Sequence, residues 1–104
     1  MITNWPVFNE RMLKSVNEVL KTGKVNQWTN SKVNEFEDKF ARTIGCNYGV
    51  AVFNGTVALE LCLKTLGLKK DDEVIVTPRT FIASASCCAW YGITPVFVDV
   101  DRNS

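Results

Sequence analysis

The fold of this chain is decided by residues 48–100, which read YGVAVFNGTVALELCLKTLGLKKDDEVIVTPRTFIASASCCAWYGITPVFVDV. Within this stretch, three short apolar runs alternate with two apolar segments of helical length. The runs are 48–53, 73–77 and 95–100, and the helical segments are 57–66 and 81–91. Continuous apolar strands that alternate with helices are typical of a parallel sheet covered on both faces. We therefore predict the order β-α-β-α-β for residues 48–104.

The first 47 residues differ, because their apolar positions recur at helical spacing. A first helix is indicated by Val7, Met12, Leu13, Val16, Val19 and Leu20. A second helix is indicated by Val33, Phe36, Phe40 and Ile44. Gly23 and Gly45 are natural stops for the two helices, and Asn30 or Ser31 can cap the second. The sequence thus predicts an N-terminal helical segment, 1–47, ahead of the β-α-β-α-β unit.

Composition excludes several classes of protein. The chain has 104 residues, of which 46% are hydrophobic and 22% charged, as in one small globular domain. Twelve basic and eleven acidic residues leave a net charge of +1, whereas nucleic-acid-binding domains usually carry a basic excess. The sequence has neither an apolar run near 18 residues nor a secretory signal. We expect a cytoplasmic protein that binds neither nucleic acid nor membranes.

Histidine is absent, which excludes Ser-His-Asp hydrolysis, Cys-His proteolysis and histidine-ligated metals within this chain. Of the four cysteines only Cys87 and Cys88 are close together, and adjacent cysteines lack the C-x-x-C spacing of zinc sites. We therefore expect no metal site and four reduced thiols in the core.

The two helices predicted in the second half are apolar around most of their circumference. Such helices require more covering protein than 104 residues supply. We therefore expect the chain to form the first part of a larger α/β domain.

Two strand-to-helix turns are candidates for a binding site, since ligands bind beyond the carboxyl ends of strands in open α/β sheets. In the first turn, Gly55 permits close backbone approach, and Thr56 and Val57 offer N–H groups at a helix N-terminus. This arrangement suits a phosphate, although it matches neither G-x-x-x-x-G-K nor G-x-G-x-x-G. The alternative is that Asn54 or Thr56 caps the helix and binds no ligand.

The second turn, 77–83, places Phe81 at the start of the next helix. A planar cofactor ring could stack on this side chain, and the alternative is a phenylalanine packed in the core. Together, the two turns fit a phosphorylated heteroaromatic ring better than a dinucleotide.

The sequence resembles the DegT/DnrJ/EryC1/StrS family of pyridoxal 5'-phosphate (PLP)-dependent aminotransferases, which act on nucleotide-linked keto-sugars. The similarity covers nearly the whole chain and rests on FNGTVAL (53–59), DEVIVTP (72–78), TFIA (80–83) and PVFVDVD (95–101). The earlier stretch VNEFEDKFA (33–41) resembles the F-E-x-x-F-A helix of the family.

The resemblance implies the N-terminal part of the large domain of the PLP-dependent transferase fold type I, incomplete in this chain. It implies that Gly55, Thr56 and the Val57 amide hold the phosphate of PLP. Phe81 would stack on the pyridine ring, where many relatives carry tryptophan. The loop residues Trp28, Thr29 and Asn30 would lie near the substrate entrance.

The resemblance also implies a homodimer that takes an amino group, typically from glutamate, and transfers it to the keto-sugar. The Schiff-base lysine of the family lies beyond the matched region, so no catalytic residue is expected in this segment. Three alternatives remain open at this point. They are a sugar 3-dehydratase of the same fold, a truncated remnant that only self-associates, and a generic nucleotide-binding module.

Overall fold

A computed structural model of the chain describes residues 6–103. It comprises two compact units, one up to Ala51 and the other from Val52 onward. The first unit contains helices α1 (Glu10–Thr22) and α2 (Lys32–Ile44). The second contains α3 (Gly55–Thr65), β1 (Glu73–Val76), α4 (Ala83–Trp90) and β2 (Thr94–Phe97).

Helix α1 begins and ends where its local chemistry requires. The Oδ1 atom of Asn9 accepts a hydrogen bond from the Met12 amide at 2.9 Å, which satisfies one of the unpaired N–H groups of the first turn. At the other end, Gly23 adopts a left-handed conformation with φ 69°, and its amide donates to the Leu20 carbonyl. The predicted stop at Gly23 is therefore confirmed.

Helix α2 ends in the same way at Gly45, whose φ is 79°. At its start, the Oδ1 atom of Asn30 accepts from the Lys32 amide at 3.0 Å. The Ser31 hydroxyl donates to Oε1 of Glu35 at 2.7 Å, and Nζ of Lys32 contacts Oε2 of Glu35 at 3.0 Å. The Ser31 hydrogen bond, followed by the Lys32 ammonium, lowers the pKa of the Glu35 carboxyl below its ordinary value.

The sheet of the second unit is smaller than the sequence predicts. Strands β1 and β2 pair in parallel, in a register that runs from Glu73 opposite Thr94 to Val76 opposite Phe97. Residues 48–53 form no strand, so the prediction of a strand there is wrong for the chain as described. An apolar, β-rich run becomes a strand only when a neighbouring strand accepts and donates its backbone hydrogen bonds, and β1 and β2 satisfy only each other.

The core of the second unit forms where α3 and α4 meet the sheet. Leu63 of α3, Cys87 and Cys88 of α4 and Ile93 are buried together, with Leu68 and Val74 packed against them. Ile75, which alternates with Val74 and Val76 along β1, is 75% exposed. One face of the sheet is thus covered and the other is open, whereas the sequence predicts helices on both faces.

Large apolar side chains are exposed in both units, as expected of a chain that belongs to a larger domain. None of the residues of α1 is buried, although Met12, Leu13, Val16 and Leu20 form an apolar face. Within residues 6–103, none of the helices has the length and hydrophobicity needed to cross a membrane.

We expect the isolated 104-residue chain to be marginally stable, to self-associate, or to rearrange so that residues 48–53 find a new strand partner. Its open strand edges and uncovered apolar side chains both favour contacts between copies. Light scattering over a range of protein concentrations should show a mass that rises with concentration. A monodisperse monomer that unfolds cooperatively at a high melting temperature would contradict this expectation.

Candidate functional site

The first strand-to-helix turn is organised by Asn54, which caps α3. Asn54 has an extended backbone, with φ −161°, and its Oδ1 atom accepts the Val57 amide at 3.0 Å. Its carbonyl accepts the Ala58 amide at 3.1 Å. Of the two caps that the sequence left open, Asn54 or Thr56, the structure therefore selects Asn54.

The remaining donors of this turn suit an anion. Within the part of the chain that is described, the amides of Gly55 and Thr56 and the Thr56 hydroxyl have no hydrogen-bond partner. A Cβ placed on Gly55 would meet no atom within 4 Å, so the space beside this glycine is open. Unpaired N–H groups at the N-terminus of an 11-residue helix are the donors that a phosphate takes.

The Val57 amide differs from its two neighbours because it is already engaged. It donates to the Asn54 side chain, so a phosphate that used this amide would have to displace Asn54. The donors that are available without rearrangement are those of Gly55 and Thr56. Their number and chemistry suit a phosphate group.

The second turn leads from β1 into α4 and leaves Phe81 exposed. The Thr77 hydroxyl accepts the Arg79 amide at 3.3 Å, and the hydroxyls of Thr80 and Ser84 lie 2.8 Å apart. Phe81 itself is 74% exposed. Within residues 6–103 the Phe81 ring is therefore not covered, and its stacking on a planar cofactor stays a prediction.

Both turns belong to the second unit, in which α3 and α4 pack against each other. A cleft of about 280 Å³ is lined by Leu59 of α3, Ser84 of α4 and Thr77, which follows β1. The lining continues along both helices and β1 to the core residues Leu63, Cys87 and Cys88, so the cleft extends from the core to the carboxyl end of β1, where ligands bind in open α/β sheets. Thr56 and Phe81 lie outside the lining of this cleft.

Three cysteines line the same cleft but do not form a reactive centre. Cys87 and Cys88 are 2% and 1% exposed, and burial, together with the neighbouring Cys87, raises the pKa of the Cys88 thiol. A buried thiol with a raised pKa remains protonated and is a poor nucleophile. All four cysteines are free, but Cys46 and Cys62 are exposed. The expectation of core thiols is therefore correct for two of the four.

The loop between α1 and α2 is held together by Asn26. Its Oδ1 atom accepts the amides of Trp28 and Thr29, each at 3.1 Å, and also lies 3.1 Å from the Thr29 hydroxyl. This compact turn leaves the Trp28 side chain 94% exposed. Asn26 is not among the predicted site residues, although an asparagine two residues before a turn position is a known signal for such side-chain-to-backbone bonds.

Asn30 links this loop to the start of α2. Its Nδ2 atom donates to the Lys24 carbonyl at 2.8 Å, and the residue lines a groove of about 740 Å³ within the first unit. Of the three residues assigned to the substrate entrance, Asn30 borders this groove, whereas Trp28 and Thr29 are exposed and do not line it.

We expect Asn54→Ala to destabilise the start of α3, because it leaves the Val57 amide without its cap. Loss of such a cap costs about 0.5–2 kcal/mol. The matched variant Asn54→Ser should lose much less, since a serine oxygen can accept the same hydrogen bond. Chemical denaturation of both variants and the wild type, at one protein concentration, measures the difference. Equal stability of Asn54→Ala and wild type would show that the cap contributes nothing.

Comparison with curated proteins identifies relatives along nearly the whole chain. It is 38% identical over 99 residues to the spore coat polysaccharide biosynthesis protein SpsC of Bacillus subtilis, covering 95% of this chain and 25% of SpsC. It is 39% identical over 102 residues to GDP-perosamine synthase of Escherichia coli O157:H7, covering 95% of this chain and 28% of that protein. The chain therefore spans about a quarter of the length of these relatives.

Solved structures agree with the sequence comparison. The aminotransferase from Psychrobacter cryohalolentis superposes with a TM-score of 0.91 at 46% identity, covering 93% of this chain and 25% of the other. The E. coli GDP-4-keto-6-deoxy-D-mannose-3-dehydratase, solved with bound hydrated PLP, superposes with a TM-score of 0.82 at 29% identity, covering 91% and 25%. The chain thus corresponds to about a quarter of a PLP-dependent aminotransferase fold.

The sequence profile of one family matches residues 6–104, which is almost the entire chain. Together with the relatives and the superposed structures, this match shows that the chain belongs to the DegT/DnrJ/EryC1/StrS aminotransferase family and corresponds to the N-terminal segment of its members.

Proposed function

We propose that this chain is the N-terminal segment of a cytoplasmic, homodimeric, PLP-dependent aminotransferase. The full-length enzyme would transfer an amino group from glutamate to a nucleotide-linked keto-sugar, for surface polysaccharide or amino-sugar biosynthesis. The observation that carries the proposal is the set of unpaired donors on Gly55 and Thr56 at the start of α3, in a chain of this family.

The segment would contribute the phosphate end of the cofactor site. The amides of Gly55 and Thr56 and the Thr56 hydroxyl would donate to the phosphate oxygens, and the dipole of α3 would stabilise its charge. The Val57 amide would join them only if Asn54 releases it. When bound, PLP supplies an electron sink for proton removal beside the transferred nitrogen.

Phe81 would pack its exposed ring against the pyridine ring and orient the cofactor. Trp28, Thr29 and Asn30 would contact substrate near the entrance of the site. The Asn26 turn holds these three residues in one compact loop, so they would be presented as a unit.

We assign no catalytic residue to this segment. Its eight lysines, Lys14, Lys21, Lys24, Lys32, Lys39, Lys64, Lys69 and Lys70, are all exposed. A lysine that acts as a nucleophile is usually desolvated in an apolar pocket or lies beside another cationic group. The proton-transferring lysine of the enzyme would therefore lie outside these 104 residues.

A sugar 3-dehydratase is the second candidate, and it is favoured by one observation. The E. coli dehydratase superposes on the same segment with a TM-score of 0.82. In that alternative, a histidine would stand in place of the catalytic lysine. A truncated remnant that only self-associates is the third candidate.

The experiment that decides between the two enzyme candidates uses the full-length enzyme, PLP, glutamate and a nucleotide-linked 4-keto-6-deoxysugar. Formation of 2-oxoglutarate together with an amino-sugar supports the aminotransferase. Formation of a sugar that has lost its 3-hydroxyl group and carries no amino group supports the dehydratase. A protein that binds PLP and catalyses neither reaction contradicts both enzyme proposals.

We expect Thr56→Ala in the full-length enzyme to weaken PLP retention. The change removes one hydroxyl donor to a charged phosphate, a hydrogen bond worth about 1.5–3 kcal/mol, or roughly ten- to a hundred-fold in affinity. Thr56→Ser keeps the hydroxyl and should retain affinity close to the wild type. Equilibrium titration with PLP, followed by absorbance, measures both. Unchanged affinity in Thr56→Ala would remove Thr56 from the site.

We also expect Phe81→Ala to weaken PLP binding, because it removes the face on which the pyridine ring stacks. Phe81→Trp should bind PLP about as well as the wild type, since indole offers a larger stacking face. Loss of binding in both variants would instead show that Phe81 packs in the core of the full-length enzyme. The same absorbance titration reports on both variants.

A further inference from the structure

Glu37 of α2 contacts the chain that leads towards the first strand-to-helix turn. Its Oε1 atom accepts a hydrogen bond from the Ala51 amide at 2.8 Å, across 14 residues of sequence. Both residues are partly buried. Among the described residues, the Glu37 carboxylate has no salt bridge or second hydrogen-bond donor. It therefore accepts only this one backbone amide.

Gly49 permits the backbone to approach α2 closely enough for this hydrogen bond. A Cβ on Gly49 would lie 2.7 Å from the Glu37 carbonyl oxygen, a separation that real Cβ atoms essentially never show. Since the obstructing atom is helix backbone, no side-chain rotation would relieve the clash. Glu37 is thus contacted twice, by Gly49 at its carbonyl and by Ala51 at its carboxylate.

The hydrogen bond is short, because the Glu37 side chain reaches the Ala51 amide at 2.8 Å across 14 residues of sequence. Partial burial reduces competition from water. The position of Ala51 beside α2 is therefore held by a specific interaction within the first unit.

The covalent chain carries this restraint towards the phosphate-binding residues. Asn54, the cap of α3, is three residues after Ala51, and three residues span at most about 11 Å. Holding Ala51 therefore removes conformations of the connecting chain before any ligand arrives. Restricting a binding loop beforehand lowers the entropy lost on binding and raises affinity.

We propose that Glu37 is a positioning residue for the phosphate-binding turn. It holds the Ala51 amide, together with the close approach at Gly49, and so restricts the chain that enters the Asn54–Val57 turn. The inference rests on the proposed function, because it concerns the affinity of that turn for the phosphate of PLP.

The test uses the full-length enzyme and four variants. Glu37→Ala removes the acceptor, Glu37→Asp shortens it by one methylene, and Glu37→Gln keeps an oxygen that can accept the same N–H. Asp38→Ala is the matched control, since Asp38 is an exposed carboxylate on the same helix with no hydrogen bond or ion pair among residues 6–103. Two quantities are measured for each: the dissociation constant for PLP and the hydrogen-exchange rate of the Ala51 amide.

We expect Glu37→Ala and Glu37→Asp to raise the PLP dissociation constant by about two- to tenfold, the range of a lost net hydrogen bond. Both should also accelerate exchange at Ala51. Glu37→Gln should recover most of the affinity and protection, and Asp38→Ala should match the wild type. If Glu37→Ala does not fold, Glu37→Asp, which keeps the charge, carries the same expectation.

The outcomes separate this inference from the proposed function. If the wild type binds PLP and Thr56→Ala weakens it, unchanged affinity in Glu37→Ala overturns the positioning role alone. The positioning role is also overturned if Glu37→Gln binds PLP as weakly as Glu37→Ala does. In that case the hydrogen bond to the Ala51 amide would not determine the affinity for PLP. A wild-type enzyme that does not bind PLP overturns both the inference and the proposed function.

Discussion

The parallel pairing of β1 and β2 is the interaction on which the second unit depends. Their ladder, from Glu73–Thr94 to Val76–Phe97, lets each strand satisfy backbone groups of the other. Helix α4 connects them and buries Cys87 and Cys88 beside Leu63 and Ile93. Because each strand satisfies only one edge of its neighbour, the unit retains open strand edges. The face that carries Ile75 is open as well, since the core packs on the side of Val74.

The same constraint explains residues 48–53. Their apolar, β-rich sequence is as suited to a strand as that of β1, yet they lack a strand neighbour and form no strand. Instead, the Ala51 amide is satisfied by the Glu37 carboxylate. A backbone donor without a strand partner is thus paired with a side chain, which follows from the high cost of leaving a partly buried N–H unsatisfied.

The candidate site combines engaged and available donors. Asn54 takes the Val57 amide and so defines the first turn of α3, while the amides of Gly55 and Thr56 stay available within the described chain. The superposed dehydratase holds PLP, and its phosphate is the type of ligand these donors suit. The exposed ring of Phe81 adds a planar, apolar surface in the same unit.

The sequence by itself determined the features that depend on neighbouring residues. Gly23 and Gly45 end their helices because glycine adopts a positive φ at little cost, and the family motifs predict the phosphate-binding turn at Gly55 and Thr56. Only the tertiary structure decided that residues 48–53 are not a strand, that Phe81 is exposed and that Glu37 holds Ala51. These features depend on which groups meet in space: strand pairing, burial, and a contact across 14 residues. Local sequence patterns do not show which distant residues come together.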